Sequence, residues 1–206
     1  MSRPRKCVRL FNEECRVTSA FPPKVSPAAK ADAFMDVVRR LARWRVPLGY
    51  VLGVIAFWFT DPTAASLSVG AAVGSLGEAL RIWAAGHLEK GREVTTTGPY
   101  AFTRHPLYLG SSIMGAGFAI ASHSLVVAVV VFLYLGVTIA AAIRSEEAHL
   151  TEKFGGSYPA YREGTSAPAA REFSLERAVR NREYRALAGL IAVWALLTAK
   201  FLFPRL

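Results

Sequence analysis

Charge is missing from long stretches of this chain and gathered between them. Val46–Thr60 carries no Asp, Glu, Lys or Arg, and after an Asp61-Pro62 turn the stretch Pro62–Gly77 is again uncharged. The longest such run, Leu107–Ile143, has 37 residues. As one helix it would extend about 55 Å, against a bilayer core of about 30 Å. It must fold back, and Ser122-His123-Ser124 is its polar break, so the pattern predicts a helical hairpin over 107–143 with arms 107–121 and 124–143. Ala186–Phe203 is a fifth candidate, shorter, with Lys200 near its end where a long side chain can reach the interface. Lipid cannot satisfy open backbone groups, so every span is predicted helical. The expected fold is all-α: a polytopic integral membrane protein with about five transmembrane helices.

The basic residues orient it. Residues 1–45 hold eleven Lys and Arg, 81–104 hold four and 144–185 hold eight, whereas the turns at 61–63 and 122–124 hold none. With five spans, 23 of the 25 fall on one side, which the positive-inside rule makes the cytoplasm, together with the N-terminus. Composition agrees: 52% hydrophobic, 19% charged, mean hydropathy +0.28. That excludes a disordered chain. Two cysteines, Cys7 and Cys15, exclude a disulfide-stapled module and give no basis for a structural zinc site. The net charge of +10 flanks apolar runs, with Arg39, Arg40, Arg43 and Arg45 placed for anionic headgroups. The expected partner is therefore a lipid bilayer and not nucleic acid. Residues 1–33, basic and proline-containing, read as a disordered tail without a secretory h-region, and Met35 as an alternative start. Residues 34–206 form the folded domain, in which 174–185 reads as an amphipathic surface helix before the last span.

Polar residues cluster in two places on the basic side. One is the loop His87–Tyr108; the other is Arg144-Ser-Glu-Glu-Ala-His-Leu, continuing to Tyr161. A hairpin turning at His123 brings them together, setting Arg104 level with Ala142 and Tyr100 level with Glu146. Pro106 suits the first turn of a helix, where its missing N–H is harmless. Taken alone, Arg144, Glu146 and Glu147 could simply end a span at the interface. Glu78 and Arg81, three apart, suit an ion pair or a cavity lining. Gly115-Ala-Gly117 lies in an apolar span and reads as helix packing through small residues, with Ser111 and Gly115 four apart.

The loop carries a resemblance. Gly98-Pro-Tyr-Ala-Phe-Thr-Arg-His-Pro-Leu-Tyr-Leu-Gly110 is similar to the Gly-x-Tyr…Arg-His-Pro-x-Tyr-x-Gly signature of the isoprenylcysteine carboxyl methyltransferase family. That family continues with Glu-Glu, Phe-Gly and paired tyrosines, matched here by Glu146-Glu147, Phe154-Gly155, Tyr158 and Tyr161. The likeness covers roughly residues 76–162. Phospholipid N-methyltransferases share much of it, and some integral-membrane reductases are more distantly similar. It implies methyl transfer from S-adenosylmethionine (SAM) to a lipophilic or membrane-associated acceptor, with no metal required. Carried over by residue, the cofactor pocket comprises Tyr100, His105, Pro106, Leu107, Tyr108 and Glu147, with the upstream stretch His87–Lys90, and Arg144 touches the acceptor. The residue chemistry is compatible: Glu146 or Glu147 can accept from an ammonium or ribose hydroxyls, and Arg104, His105 and Lys90 can bind a carboxylate. The chain has no Gly-x-Gly-x-x-Gly, so the soluble methyltransferase fold is not expected. Two alternatives stand beside this reading: an NADPH-dependent membrane reductase on a similar core, and a non-catalytic lipid-binding or scaffold protein.

Overall fold

A computed structural model describes residues 27–155, 157–165 and 171–203. The tail 1–26 with Cys7 and Cys15, and the side chains of residues 27–34, Arg39, Ala42 and Arg45, lie outside that description. Within it are seven α helices: α1 (Pro27–Trp58), α2 (Ala64–His87), α3 (Pro106–Ser122), α4 (Leu125–Phe154), α5 (Ser157–Arg162), α6 (Leu175–Arg180) and α7 (Tyr184–Leu202). A 3-10 turn, Gly98–Ala101, interrupts the loop between α2 and α3. The expected all-α class is what forms, and the five apolar segments fall in α1, α2, α3, α4 and α7. Helix α1 also takes up residues 27–33, which the sequence pattern assigned to the tail.

The helix ends explain themselves. Thr63 caps α2 through a reciprocal pair: its hydroxyl accepts from Ser66 N at 3.1 Å, and Ser66 Oγ accepts from Thr63 N at 2.9 Å. Ser66 Oγ also donates to the Ala121 carbonyl at 3.2 Å, tying the start of α2 to the end of α3. The hairpin turns where the pattern predicts: His123 adopts a left-handed conformation (φ 49°), and Ser124 caps α4. Helix α4 then continues well past Ile143, to Phe154, because Arg144–Phe154 is rich in good helix formers. Lys200 does not reach for solvent alone; its ammonium donates to the Phe57 and Trp58 carbonyls at 2.6 and 3.2 Å, closing the C-terminal end of α1.

Helix α3 packs most intimately on α2, through glycine. A Cβ on Gly117 would lie 2.6 Å from Gly74 N and 2.7 Å from Gly70 O, and one on Gly77 would lie 2.7 Å from Gly110 O. Backbones in such contact leave no room for a side chain. The expected packing of Gly115-Ala-Gly117 through small residues forms, on two faces of α3. Residues 110, 114, 117 and 121 share the face toward α2, while Gly115 faces Leu135 of α4 and Ser111 bonds Arg81. On its other side α2 receives Trp194 and Leu190 of α7 against Gly74.

The expected amphipathic helix over 174–185 is corrected. Residues Asn181–Glu183 break it, with Arg182 at φ 63°, into the six-residue α6 and the start of α7. The cause is the open C-terminus of α2, whose last carbonyls need donors. Asn181 Nδ2 donates to the Ala85 and Leu88 carbonyls, both at 2.9 Å, and Arg177 donates to Gly86 O at 2.5 Å. Arg177 Nε also pairs with Glu89 at 2.9 Å. Burial alone would raise the Glu89 carboxyl, but the bond from Arg177 and the charges of Arg180 and Arg92 outweigh it and hold the group below its ordinary value.

The bundle is inverted relative to a water-soluble core. Buried positions are dominated by small residues such as Ala84, Ala85, Ala119, Ala121 and Ala142, while Trp44, Trp58, Leu125, Leu133 and Ile191 point outward and are exposed. Among the described residues two helices, α4 and α7, are long and apolar enough to cross a membrane. That is fewer than the five expected. Helix α3 has 17 residues, about 25 Å of rise, and the apolar part of α1 is only Val46–Trp58.

Candidate functional site

Three tight positions build the loop over the ends of α3 and α4. Gly98 sits at φ +60°, and a Cβ there would lie 2.7 Å from the His87 ring, so both conformation and space require glycine. Pro99 and Tyr100 follow, both buried. The loop then reaches His105, the residue that precedes the first turn of α3, with Pro106 opening the helix as expected.

From that turn the side chains converge on α4. His105 Nε2 lies 3.1 Å from Glu147 Oε1, and Arg104 lies 3.4 Å from the same oxygen. The His105 and Tyr108 rings are 5.8 Å apart. Helix α5 closes the group from the other side: the Tyr161 hydroxyl donates to the Tyr100 carbonyl at 2.6 Å, and the Tyr158 ring is 6.3 Å from that of Tyr161. The Tyr158 hydroxyl is buried beside the Glu147 carboxylate, though not in good hydrogen-bond geometry with it. Burial first, then the charge of Glu147, pushes this phenol up to about 12, with Arg104 pulling the other way. Burial and the charge of Glu146 also raise the Tyr100 phenol. Both therefore stay protonated at neutral pH, as hydrogen-bond donors.

Of the residues singled out from sequence, the fold gathers Tyr100, Arg104, His105, Pro106, Tyr108 and Glu147. Glu146 is exposed, yet its charge reaches Tyr100 and Tyr158. The His87 ring is taken up by Trp83 O at 3.0 Å, by Gly98 and by Phe173, beneath the loop. Lys90 is exposed in the turn after α2, and Arg144 is exposed on α4 three residues before Glu147. Two members of the group, Tyr158 and Tyr161, are not among the site residues that sequence reasoning selects. Their signal is present, a Tyr-x-x-Tyr spacing that places both rings on one helical face after Phe154-Gly155.

Leu107 enters through its backbone. Its carbonyl accepts from Arg81 at 3.4 Å. Arg81 and Glu78 do approach, at 3.8 Å, but the closer partner of Arg81 is Glu183 of the α6–α7 break, at 2.6 Å. Among the described residues no three His, Cys, Asp or Glu side chains come together as a metal site would require.

The site is thus built from tyrosines, a histidine and an ion pair, assembled where the hairpin of an apolar helical bundle opens. The chain belongs to the phospholipid methyltransferase family, whose profile matches residues 44–157, more than half of its length. The match contains the whole Gly98–Gly110 segment and Glu146-Glu147, and ends just before Tyr158. The nickel-cobalt-cadmium resistance protein NccN of Alcaligenes xylosoxydans xylosoxydans is 30% identical over 139 residues, 64% of this chain and 65% of that protein. The cobalt-zinc-cadmium resistance protein CzcN of Cupriavidus metallidurans is 32% identical over 122 residues, 56% of each chain. The chain thus spans less than two thirds of these curated relatives. No solved structure matches it.

Proposed function

We propose that this protein is an integral-membrane, SAM-dependent methyltransferase acting on a lipophilic acceptor, like the isoprenylcysteine carboxyl methyltransferases in site layout. One observation carries the reading: Glu147 meets Arg104, of opposite charge, and His105 at the mouth of the α3–α4 hairpin, with the buried Tyr158 hydroxyl beside Glu147 and Tyr100 held against the group by Tyr161. That donor set fits SAM, whose methionyl end is a zwitterion and whose sulfonium favours aromatic faces. When bound, SAM supplies an electrophilic methyl group. Glu147 accepts from the ammonium or ribose hydroxyls, while Arg104 and His105 hold the carboxylate. Tyr100 and Tyr108 line the pocket and exclude water, and Arg144 is assigned to the acceptor. Alignment and a dry, polarised pocket matter more for this displacement than a strong acid or base.

An apolar groove of about 320 Å³ between α3 and α4, lined by Ser112, Leu135, Ile139 and Ile143, ends one helical turn from Glu147 and suits a lipophilic acceptor. The outward-facing large side chains and the one-sided Lys and Arg distribution support five spans, with the N-terminus and the site cytoplasmic. Position 123, exposed at the turn, is then external. A cysteine placed there should react with a membrane-impermeant reagent in intact cells, and protection of that cysteine until lysis would refute the topology.

The cofactor assignment is tested by calorimetry of the purified protein in detergent. SAM should bind, and Glu147→Gln should weaken it about ten- to hundredfold through loss of a charge-assisted bond. Glu152→Gln, exposed further along α4, serves as control and should change nothing. Equal affinity for wild type and Glu147→Gln would defeat the pocket assignment. NADPH binding in place of SAM would favour the reductase, and binding of neither would favour a scaffold.

A further inference from the structure

Away from the pocket, the buried polar groups converge on one side chain, Arg81 of α2. Its Nε donates to Glu183 at 2.6 Å; a terminal nitrogen donates to Ser111 Oγ at 2.5 Å and to the Leu107 carbonyl at 3.4 Å. Ser111 Oγ itself donates to Leu107 O at 2.9 Å, so that carbonyl is held twice. Gly110 clears the path, since a Cβ there would lie 2.5 Å from Arg81 Cγ. The Glu78 carboxylate, 3.8 Å away and buried, has no hydrogen bond of its own among the described residues. One guanidinium thus joins α2, α3 and the residue that opens α7.

What it joins them to is the turn that carries the site. Leu107 lies between Pro106 and Tyr108, in the helical turn that presents His105 to Glu147. Pro106 has no N–H and the His105 side chain makes no capping bond. The other backbone anchors of the turn are local, from Tyr108 N and Leu109 N to His105 O, from His105 N to Thr103 Oγ1 and from Ser112 Oγ to Tyr108 O, so Arg81 is the tie from α2. The Glu183 charge also reaches the Tyr100 phenol and adds to its rise, after burial and the charges of Glu146 and Tyr161.

We propose that Arg81 is a positioning residue of the cofactor site, setting the placement of the His105–Tyr108 turn through Leu107 O and Ser111, with Glu183 orienting its guanidinium. The inference rests on the SAM reading for its consequence in binding, and on geometry alone for the placement. Arginine is required because one planar group must serve a carboxylate, a hydroxyl and a carbonyl; a lysine ammonium keeps the charge without that fork.

The test uses the full chain in detergent and two variants, Arg81→Lys and Ser111→Ala. Three readouts are taken: thermal melting, SAM affinity by calorimetry, and the NMR resonance of labelled His105 without SAM. Ser111→Ala should melt within a few degrees of wild type while SAM affinity falls about three- to tenfold, and Arg81→Lys should lose about tenfold or more. Both should shift the His105 resonance, which a purely stabilising contact would not move. Unchanged affinity and an unchanged His105 resonance in folded Ser111→Ala would overturn the proposal and leave the SAM reading intact. If wild type itself fails to bind SAM, that reading fails, and the His105 resonance alone decides whether Arg81 places the turn. Should Arg81→Lys fail to fold, the behaviour of Ser111→Ala decides the matter.

Discussion

Gly117→Ala is expected to cost about 3 kcal/mol of stability, the upper end of what overpacking does, since nothing nearby can yield. Its new Cβ would meet Gly74 N at 2.6 Å and Gly70 O at 2.7 Å, both backbone atoms of α2. A side chain can change rotamer to accommodate a methyl group; a helix backbone must move as a whole. Separating α2 from α3 would also draw Arg81 off Ser111 and Leu107. The matched control is Gly136→Ala in α4, where nothing lies within 4 Å of the added carbon. There alanine should gain up to about 1 kcal/mol from helix propensity. Thermal melting of both variants in the same detergent decides. Similar behaviour of the two would mean that the α2–α3 contact is looser than described.

Arg81→Met should be about as damaging or more, at about 3–5 kcal/mol. The side chain removed is largely buried, and it leaves Glu78 and Glu183, both buried, without their cation. The penalty is the uncompensated charge and not the loss of attraction as such, which gives the prediction its signature. Adding Glu183→Gln to Arg81→Met should recover a substantial part of the lost stability, although it removes a further native group. Denaturation of the single and double variants measures this, and strictly additive losses would show that the two residues do not interact.

Much of this arrangement was legible because membrane-type chains announce their helices by the absence of charge. The run Leu107–Ile143 was too long for one crossing, so the break at Ser122-His123-Ser124 followed from length alone. Pro106 marked the start of α3, and the loop motif with Glu147 identified the side chains that the hairpin brings together. What stayed hidden depended on rotation and on distant partners. Nothing in the spacing of Gly110, Ser111, Gly115 and Gly117 tells which stripe meets α2, because small residues occupy two adjacent stripes. Arg81 and Glu183 are 102 positions apart, and the nearer Glu78 offered a sufficient local partner. The break at Asn181–Glu183 was invisible for a similar reason, since the demand that creates it comes from the carbonyls of another helix.

The overhang of α4 has a consequence for traffic. The stretch Arg144–Phe154 extends about 16 Å beyond the apolar run, and Glu147 lies within it, while the groove ending at Ile143 lies on the apolar side. On the proposed reading the two reactants never share a solvent. The charged donor arrives and departs through water, and the greasy acceptor is delivered sideways within a two-dimensional fluid. Supply of acceptor is then governed by its surface density, its mole fraction among the lipids, and not by its concentration in the bulk.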